Sequence, residues 1–145
     1  MANSAFTISF DLDNTLWDVD QIIIRAEQSM RDWMREHTPD AYVAYTPEVI
    51  QPIRERVMRK HAHAATDLSF LRTELLYELM RQTGYGHAEA RAQAKRAFEV
   101  FFEGRNTIEF FPGALDAIRT LAEDYRLLAL TNGNADIHRA GLGEL

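Results

Sequence analysis

The chain contains no cysteine, which excludes a disulfide framework, a thiolate zinc site and a cysteine nucleophile. Lysine is almost as scarce: Lys60 and Lys95 are the only two, so arginine carries most of the positive charge. Basic residues are in any case outnumbered. The net charge is −6 and the pI near 5.3, which argues against a broad nucleic-acid surface. No apolar run approaches the ~20 residues of a bilayer span. The opening Met1-Ala-Asn-Ser-Ala5 lacks the charged and apolar regions of a signal peptide. The expectation is a soluble cytoplasmic protein that engages neither membrane nor nucleic acid. Its apolar fraction is 46%, enough for a core, and 145 residues fit one compact domain with a small subdomain.

Two segments stand out. Phe6-Thr-Ile-Ser-Phe10 alternates apolar and polar residues with the period of a strand, then runs into Asp11, Asp13 and Thr15. Far downstream, Arg126-Leu-Leu-Ala-Leu130 is a second apolar run, ending in Thr131-Asn132-Gly133. An open α/β sheet builds its site at the carboxyl edge from strand ends of this kind. Buried carboxylates are costly unless something binds them. Asp11 and Asp13 therefore point to a cation and, with it, to phosphate chemistry.

The segment between the two strands is helical in pattern. Ile22, Ala26, Met30, Trp33 and Met34 form one apolar stripe, which ends near Thr38-Pro39. Thr46-Pro47-Glu48 opens a second helix that carries Val49, Ile50, Ile53 and Val57. Leu68, Leu71, Leu75 and Leu79 mark a third, which Gly84 stops. The fourth runs from about His87 to Phe102 with Ala90, Ala94, Ala97, Phe98 and Phe101 inward. After Pro112-Gly113 a further helix, with Ala114, Leu115, Ile118 and Leu121, leads into the second strand. The predicted organisation is an α/β core at residues 1–16 and 111–145, a partial Rossmann-like parallel sheet. An all-α four-helix cap at 17–110 is inserted above the sheet's carboxyl edge.

The residues at the strand ends permit a definite chemistry. A carboxylate such as Asp11 can attack phosphorus when a metal neutralises the repulsion between two anions. Asp13 could protonate the leaving oxygen and then deprotonate the water that cleaves the acyl phosphate. Thr15 could fix the turn or bond a carboxylate. Thr131 and the backbone amides of Asn132 and Gly133 offer neutral donors to phosphoryl oxygens, and Gly133 permits close backbone approach. Asp11, Asp13 and Asn14 could also be simple turn residues after a strand. The coincidence of both segments, each behind an apolar strand, favours function.

Asp11-Leu-Asp-Asn-Thr-Leu16 and Leu130-Thr-Asn-Gly-Asn134 resemble the first two motifs of the haloacid dehalogenase-like hydrolase superfamily. The helical insertion between them is similar to that family's cap in its commonest position. The resemblance implies Asp11 as nucleophile and magnesium ligand, and Asp13 as acid/base that also gives the metal its backbone carbonyl. It implies Thr131 and Asn132 as phosphate-holding residues. An aspartate at position 13 favours the phosphatase over the dehalogenase branch. The run from Thr131 to Ala135, with Gly141-Leu-Gly143, looks similar to a proteobacterial phosphatase subgroup acting on flavin mononucleotide and a riboflavin-pathway pyrimidine phosphate. The expected activity is magnesium-dependent phosphomonoester hydrolysis of a small metabolite, flavin- or nucleotide-like. The alternatives are a non-catalytic module with the same fold and, at lower rank, a 2-haloacid dehalogenase.

The chain departs from the family pattern after Gly133. That pattern requires a later lysine and further acids, whereas both lysines here precede Thr131, and Asp136 and Glu144 lie too near the second motif. The expectation is the front part of a hydrolase with at most trace activity by itself, and with a sheet whose exposed apolar surface favours a homodimer. Elsewhere, Arg54, Arg56, Arg59, Lys60, His61 and His63 could meet an anionic substrate, but a solvated helix face is commoner. His61 and His63 would not converge on a helix. Trp17 could stack on a substrate ring or fill the core. Phe98, Phe101, Phe102, Phe110 and Phe111 read as packing.

Overall fold

The computed structural model describes residues 6–143. In chain order it contains β1 (Thr7–Phe10), α1 (Val19–His37), α2 (Pro39–Ala44) and α3 (Pro47–Lys60). A single 3-10 turn (Ala62–Ala64) follows, then α4 (Leu68–Gln82), α5 (His87–Arg105), α6 (Ala114–Asp124) and β2 (Arg126–Ala129). The chain divides into two compact units: an α/β unit made of the chain up to Ile24 and from Arg105 onward, and a helical unit, Arg25–Gly104.

In the α/β unit β1 and β2 pair in parallel, with Ile8 opposite Leu127 and Phe10 opposite Ala129. Facing residues of a parallel pair share one side of the sheet. Ile8, Phe10 and Leu127 thus form one face, and Ser9 and Leu128 the other. The first face meets a buried cluster of Leu12, Leu16, Trp17, Ile22 and Ile118. Ile118 comes from α6, which enters through Gly113 in a left-handed conformation (φ 79°). A cavity of about 140 Å³ opens on this side among Phe10, Leu12, Leu16, Ile118, Leu127 and Leu142. On the opposite face Leu128 is exposed, and so is Leu130 just past the strand.

Within the α/β unit the segments before α1 and after α5 run side by side. Trp17 and Phe110 form an antiparallel bridge, and the Phe111 amide donates to the Leu16 carbonyl at 2.8 Å. The unit boundaries fall after Ile24 and before Arg105, where the sequence had put them near Trp17 and Phe110. The reason is hydrophobic: Trp17 and Ile22 belong to the α/β cluster, and Ile108 and Phe110 pack against it.

The four predicted amphipathic helices correspond to α1, α3, α4 and α5. The segment also contains α2, so it holds five α-helices and a 3-10 turn rather than four helices. Thr38-Pro39 ends one helix and begins the next. Thr38 is fully buried, its hydroxyl donates to the Met34 carbonyl, and its own carbonyl accepts from the Tyr42 amide. Pro39 then occupies the first position of α2, where its missing N–H costs nothing. Leu68, expected inside, is exposed at the first turn of α4 behind the Asp67 cap. Gly84 adopts φ 99° after α4 as the stop signal requires.

Packing within the helical unit is close. Gly104 of α5 lies so near Ala26 of α1 that an added Cβ would sit 2.9 Å from the Ala26 Cα. One polar cluster joins three of its elements. Glu27 accepts from the Tyr45 hydroxyl and from Arg72 Nη1 at 2.8 Å, and Arg72 lies 3.7 Å from the Phe101 ring centre. Burial, reinforced by Glu27, pushes the Tyr45 phenol well above its usual range, so it stays a donor. Among the described residues no helix is long and apolar enough to cross a membrane.

Candidate active site

β1 delivers Asp11 and Asp13 into a tight loop. Thr15 and Leu16 amides both donate to the Leu12 carbonyl, at 3.1 and 2.9 Å, and Asn14 takes a left-handed conformation (φ 58°). Asparagine tolerates that geometry better than most residues. Its side-chain oxygen also accepts from the Val19 amide at 3.0 Å, tying the loop to the start of α1. Leu12 is buried between the two aspartates and anchors them. Asp11 is exposed and accepts from the Thr15 hydroxyl at 3.3 Å, the carboxylate contact that the sequence offered for Thr15.

Asp13 is held quite differently. Arg105 Nη2 donates to both of its oxygens, at 2.8 and 2.7 Å, and the Trp17 indole N–H donates to Oδ1 at 2.8 Å. The Arg105 side chain is 1% exposed and Trp17 is 0% exposed. Trp17 meets Phe110 edge to face, with ring centres 5.7 Å apart. Of the two roles open to it, the indole fills the core, and its polar edge is spent on Asp13 rather than on a substrate ring.

The loop after β2 comes up against this carboxylate. The Leu130 amide donates to the Phe10 carbonyl at 2.7 Å, which continues the sheet to the point where Thr131 begins the loop. The Gly133 amide donates to Thr131 Oγ1 at 3.0 Å. A Cβ placed on Gly133 would lie 2.3 Å from Asp13 Oδ2, 3.2 Å from Arg105 Nη2 and 3.4 Å from Thr131 Oγ1. Only glycine allows that approach. Asp13, Thr131 and Gly133, far apart in sequence, thus converge with Arg105 on one point, while Asn132 is exposed on the same loop. Further on, the Asp136 amide donates to Asn106 Oδ1 at 2.7 Å.

The donors suit a hard cation in kind. The ligands that the family resemblance implies, the Asp11 carboxylate and the Asp13 carbonyl, are oxygen donors of the kind magnesium prefers. They do not suffice in number: among the described residues no group of three or more His, Cys, Asp or Glu side chains could hold a metal ion.

Arg105 lies 92 residues from Asp13 and is one of many arginines, so no local pattern pairs the two. A signal was nevertheless present. Ala94, Ala97, Phe98 and Phe101 define the inward stripe of α5, and Arg105 follows Phe101 by four residues on that same stripe. A cation on a buried face requires an anionic partner. The basic cluster at 54–63 lies on the helical unit: Arg54, Arg56 and Arg59 are exposed, and Lys60 pairs with Glu78 at 3.6 Å. α3 ends at Lys60, so His61 and His63 are not on one helix and their rings meet edge to face at 5.9 Å. Phe111 is exposed, unlike the other phenylalanines read as packing.

No protein-family profile matches the chain. It is 30% identical over 137 residues to 5-amino-6-(5-phospho-D-ribitylamino)uracil phosphatase YigB of Escherichia coli K12, covering 94% of this chain and 57% of the relative. Among solved structures, a 2-haloacid dehalogenase from Pseudomonas syringae pv. tomato DC3000 superposes with a TM-score of 0.89 at 36% identity. That match covers 95% of this chain and 60% of the other. The HAD-hydrolase YfnB of Bacillus subtilis, solved with magnesium bound, shares the fold at a TM-score of 0.53 and 17% identity, over 98% and 62% of the two chains. These similarities support membership of the haloacid dehalogenase-like superfamily. It spans roughly three fifths of the length of the relatives it matches.

Proposed function

We propose that the protein carrying this chain is a magnesium-dependent phosphomonoesterase acting through an aspartyl-phosphate. The observation that carries this is the convergence of Asp13 with the Thr131–Gly133 loop beside the strand that delivers Asp11. Asp11 Oδ attacks phosphorus, the bond from phosphorus to the leaving oxygen breaks, and Asp13 supplies the proton which that oxygen takes up. Asp13 then removes a proton from water, the hydroxide attacks the acyl phosphate, and phosphate leaves with Asp11 restored. Thr131 Oγ1 and the Asn132 and Gly133 amides donate to the phosphoryl oxygens through both steps, the Gly133 amide giving up its bond to Thr131 Oγ1 to do so. Magnesium, when held by the Asp11 side chain and the Asp13 carbonyl, supplies positive charge that offsets repulsion between nucleophile and phosphate.

A flavin-like or nucleotide-like phosphate is the substrate class we favour, on the strength of the similarity to a phosphatase of a ribitylaminouracil phosphate. The test is turnover of p-nitrophenyl phosphate, flavin mononucleotide and a panel of sugar phosphates by the full-length protein, with and without magnesium, beside Asp11→Asn. Magnesium-dependent turnover that Asp11→Asn lowers by about 10³-fold or more is expected. Equal turnover in the variant would remove Asp11 as nucleophile, and a preference for sugar phosphates would remove the flavin-like class. The 145 residues by themselves should show traces only, because both lysines, Lys60 and Lys95, lie in the helical unit and the described acids offer few metal ligands.

A second reading draws on the 36% identity to a 2-haloacid dehalogenase. In that chemistry Asp11 would displace halide from carbon, and no proton donor to a leaving oxygen would be needed. Asp13 speaks against it. Chloride release from a 2-haloacid, without phosphatase turnover, would establish this reading instead.

A further inference from the structure

Among the described residues Arg105 is the one buried cation beside the candidate site, the proposed chemistry leaves it without a role, and Asn106 follows it directly. Both are buried, at the end of α5, where the chain re-enters the α/β unit. Arg105 reaches the loop after β1 through Asp13, and Asn106 reaches the loop after β2 through the Asp136 amide. Two consecutive residues therefore hold the two loops from which the site is assembled. The contact to Asp13 comes from Nη2 alone, while the buried Nη1 makes no hydrogen bond among the described residues. Arginine–carboxylate pairs are frequently two-pronged, one nitrogen to each oxygen. Here one nitrogen bridges both oxygens, and the third hydrogen bond, from Trp17, fixes which way the carboxylate is turned.

We propose that Arg105 is a positioning residue for the reaction: with Trp17 it fixes the rotamer of Asp13, and with Asn106 it sets the spacing between the Asp13 and Thr131–Gly133 loops. This rests on the assignment of Asp13 as acid/base. Its structural half, the clamp on the Asp13 rotamer, can be read without any turnover. Gly133 makes the spacing critical, since Asp13 Oδ2 and Arg105 Nη2 already occupy the space where its side chain would be.

The test uses the full-length protein with Arg105→Met, Arg105→Lys and Asn106→Ala. The Trp17 indole N–H is observed by proton–nitrogen NMR and assigned by its loss in Trp17→Phe. In Arg105→Met the carboxylate loses its main restraint, so the Trp17 indole signal should shift toward that of a free indole and exchange faster with solvent. kcat should fall by about 10²-fold with KM within a factor of two or three. Arg105→Lys preserves a single nitrogen donor, which is all that the contact uses. It should restore the indole signal and about tenfold of the lost kcat, and it guards against a Met variant that fails to fold. Asn106→Ala should lower kcat and leave the Trp17 signal in place.

An unchanged Trp17 signal in a folded Arg105→Met protein would overturn the clamp. A loss expressed in KM alone would overturn it too, because Arg105 would then be binding substrate. A shifted Trp17 signal in a protein whose wild type has no phosphatase turnover would uphold the clamp while removing the function it was assigned to serve.

Discussion

The two units of this chain are finished to different degrees. In the helical unit each long helix buries a stripe, from Ala26, Met30 and Met34 on α1 to Ala94, Ala97 and Phe101 on α5. Its buried acid, Glu74, is paired with Arg91. In the α/β unit neither strand contains a fully buried residue, the core cluster is small, and a cavity lies beside it. Within these 145 residues, which span roughly three fifths of the relatives' length, the contrast follows from backbone hydrogen bonding. A helix satisfies its own amides, so a few helices can close a core, whereas two strands leave both outer edges unpaired. The candidate chemistry is all in the less enclosed unit. Its first loop is held by local contacts, Leu12 beneath it and Arg105 across to it.

The largest effect should separate the units directly. Each contains one of the two tryptophans, Trp17 in the α/β unit and Trp33 in the helical unit. Trp17→Ala removes a fully buried ring and leaves Asp13 without one donor, which should cost the α/β unit about 3–5 kcal/mol. Urea unfolding followed by the fluorescence of Trp33 should barely move. An equal shift in the Trp33 transition would show that the units unfold as one and that the contrast drawn above has no energetic meaning.

Next in size is a functional effect without a stability effect. Gly133→Ala puts a methyl group 2.3 Å from Asp13 Oδ2, so the carboxylate or the loop must shift. A displacement of this order commonly costs about 10²-fold in rate. The loop is partly exposed, so the change in unfolding free energy should stay within about 1 kcal/mol. Loss of kcat in the full-length protein with an unchanged urea midpoint is the expected pair of results. An unchanged kcat would place Gly133 outside the working site.

How much of this could be read in the sequence divides along the same line. Period-2 alternation in Phe6–Phe10 and the apolar run before Thr131 located both strands, and their parallel pairing follows from the helices between them. The 3.6-residue stripes located the four long helices, since helix periodicity is a local property. What escaped was non-local or polar. α2 was hidden because Thr38-Pro39 signals a stop as strongly as a start. The fate of Trp17 depended on Phe110, and Arg105 meets Asp13 across 92 residues. Side-chain hydrogen bonds over such separations leave no period in the sequence. The buried-stripe position of Arg105 is as close as it comes to a trace.

A smaller effect probes the closeness of the helical unit. Gly104→Ala would normally favour a helix interior by up to about 1 kcal/mol. Here the new methyl meets the backbone of Ala26 at 2.9 Å, and backbone cannot rotate away. Overpacking of this kind costs about 1–3 kcal/mol. The balance is a net loss of about 1 kcal/mol, read by circular dichroism as a lower midpoint. A gain in stability would mean that α1 and α5 have room to separate, and that the helical unit is less tightly packed than it looks.

The smallest change in stability should bring a large change in behaviour. Leu128 and Leu130 share the face of the sheet turned away from α6 and are 53% and 60% exposed. Neither is buried enough for its replacement to unfold the α/β unit, so Leu128→Ser with Leu130→Ser should alter the unfolding free energy by only about 0.5 kcal/mol per site. Exposed apolar side chains beside an unpaired strand edge are, however, the surface on which chains associate. We propose that the 145-residue chain forms a homodimer or larger species through this face, and that the double substitution returns it to a monomer. Light scattering on the two proteins at matched concentrations checks this. A wild-type chain that is already monomeric would remove the face as an association surface. An associated wild type whose double variant stays associated would move the contact elsewhere, to the strand edges or to the helical unit.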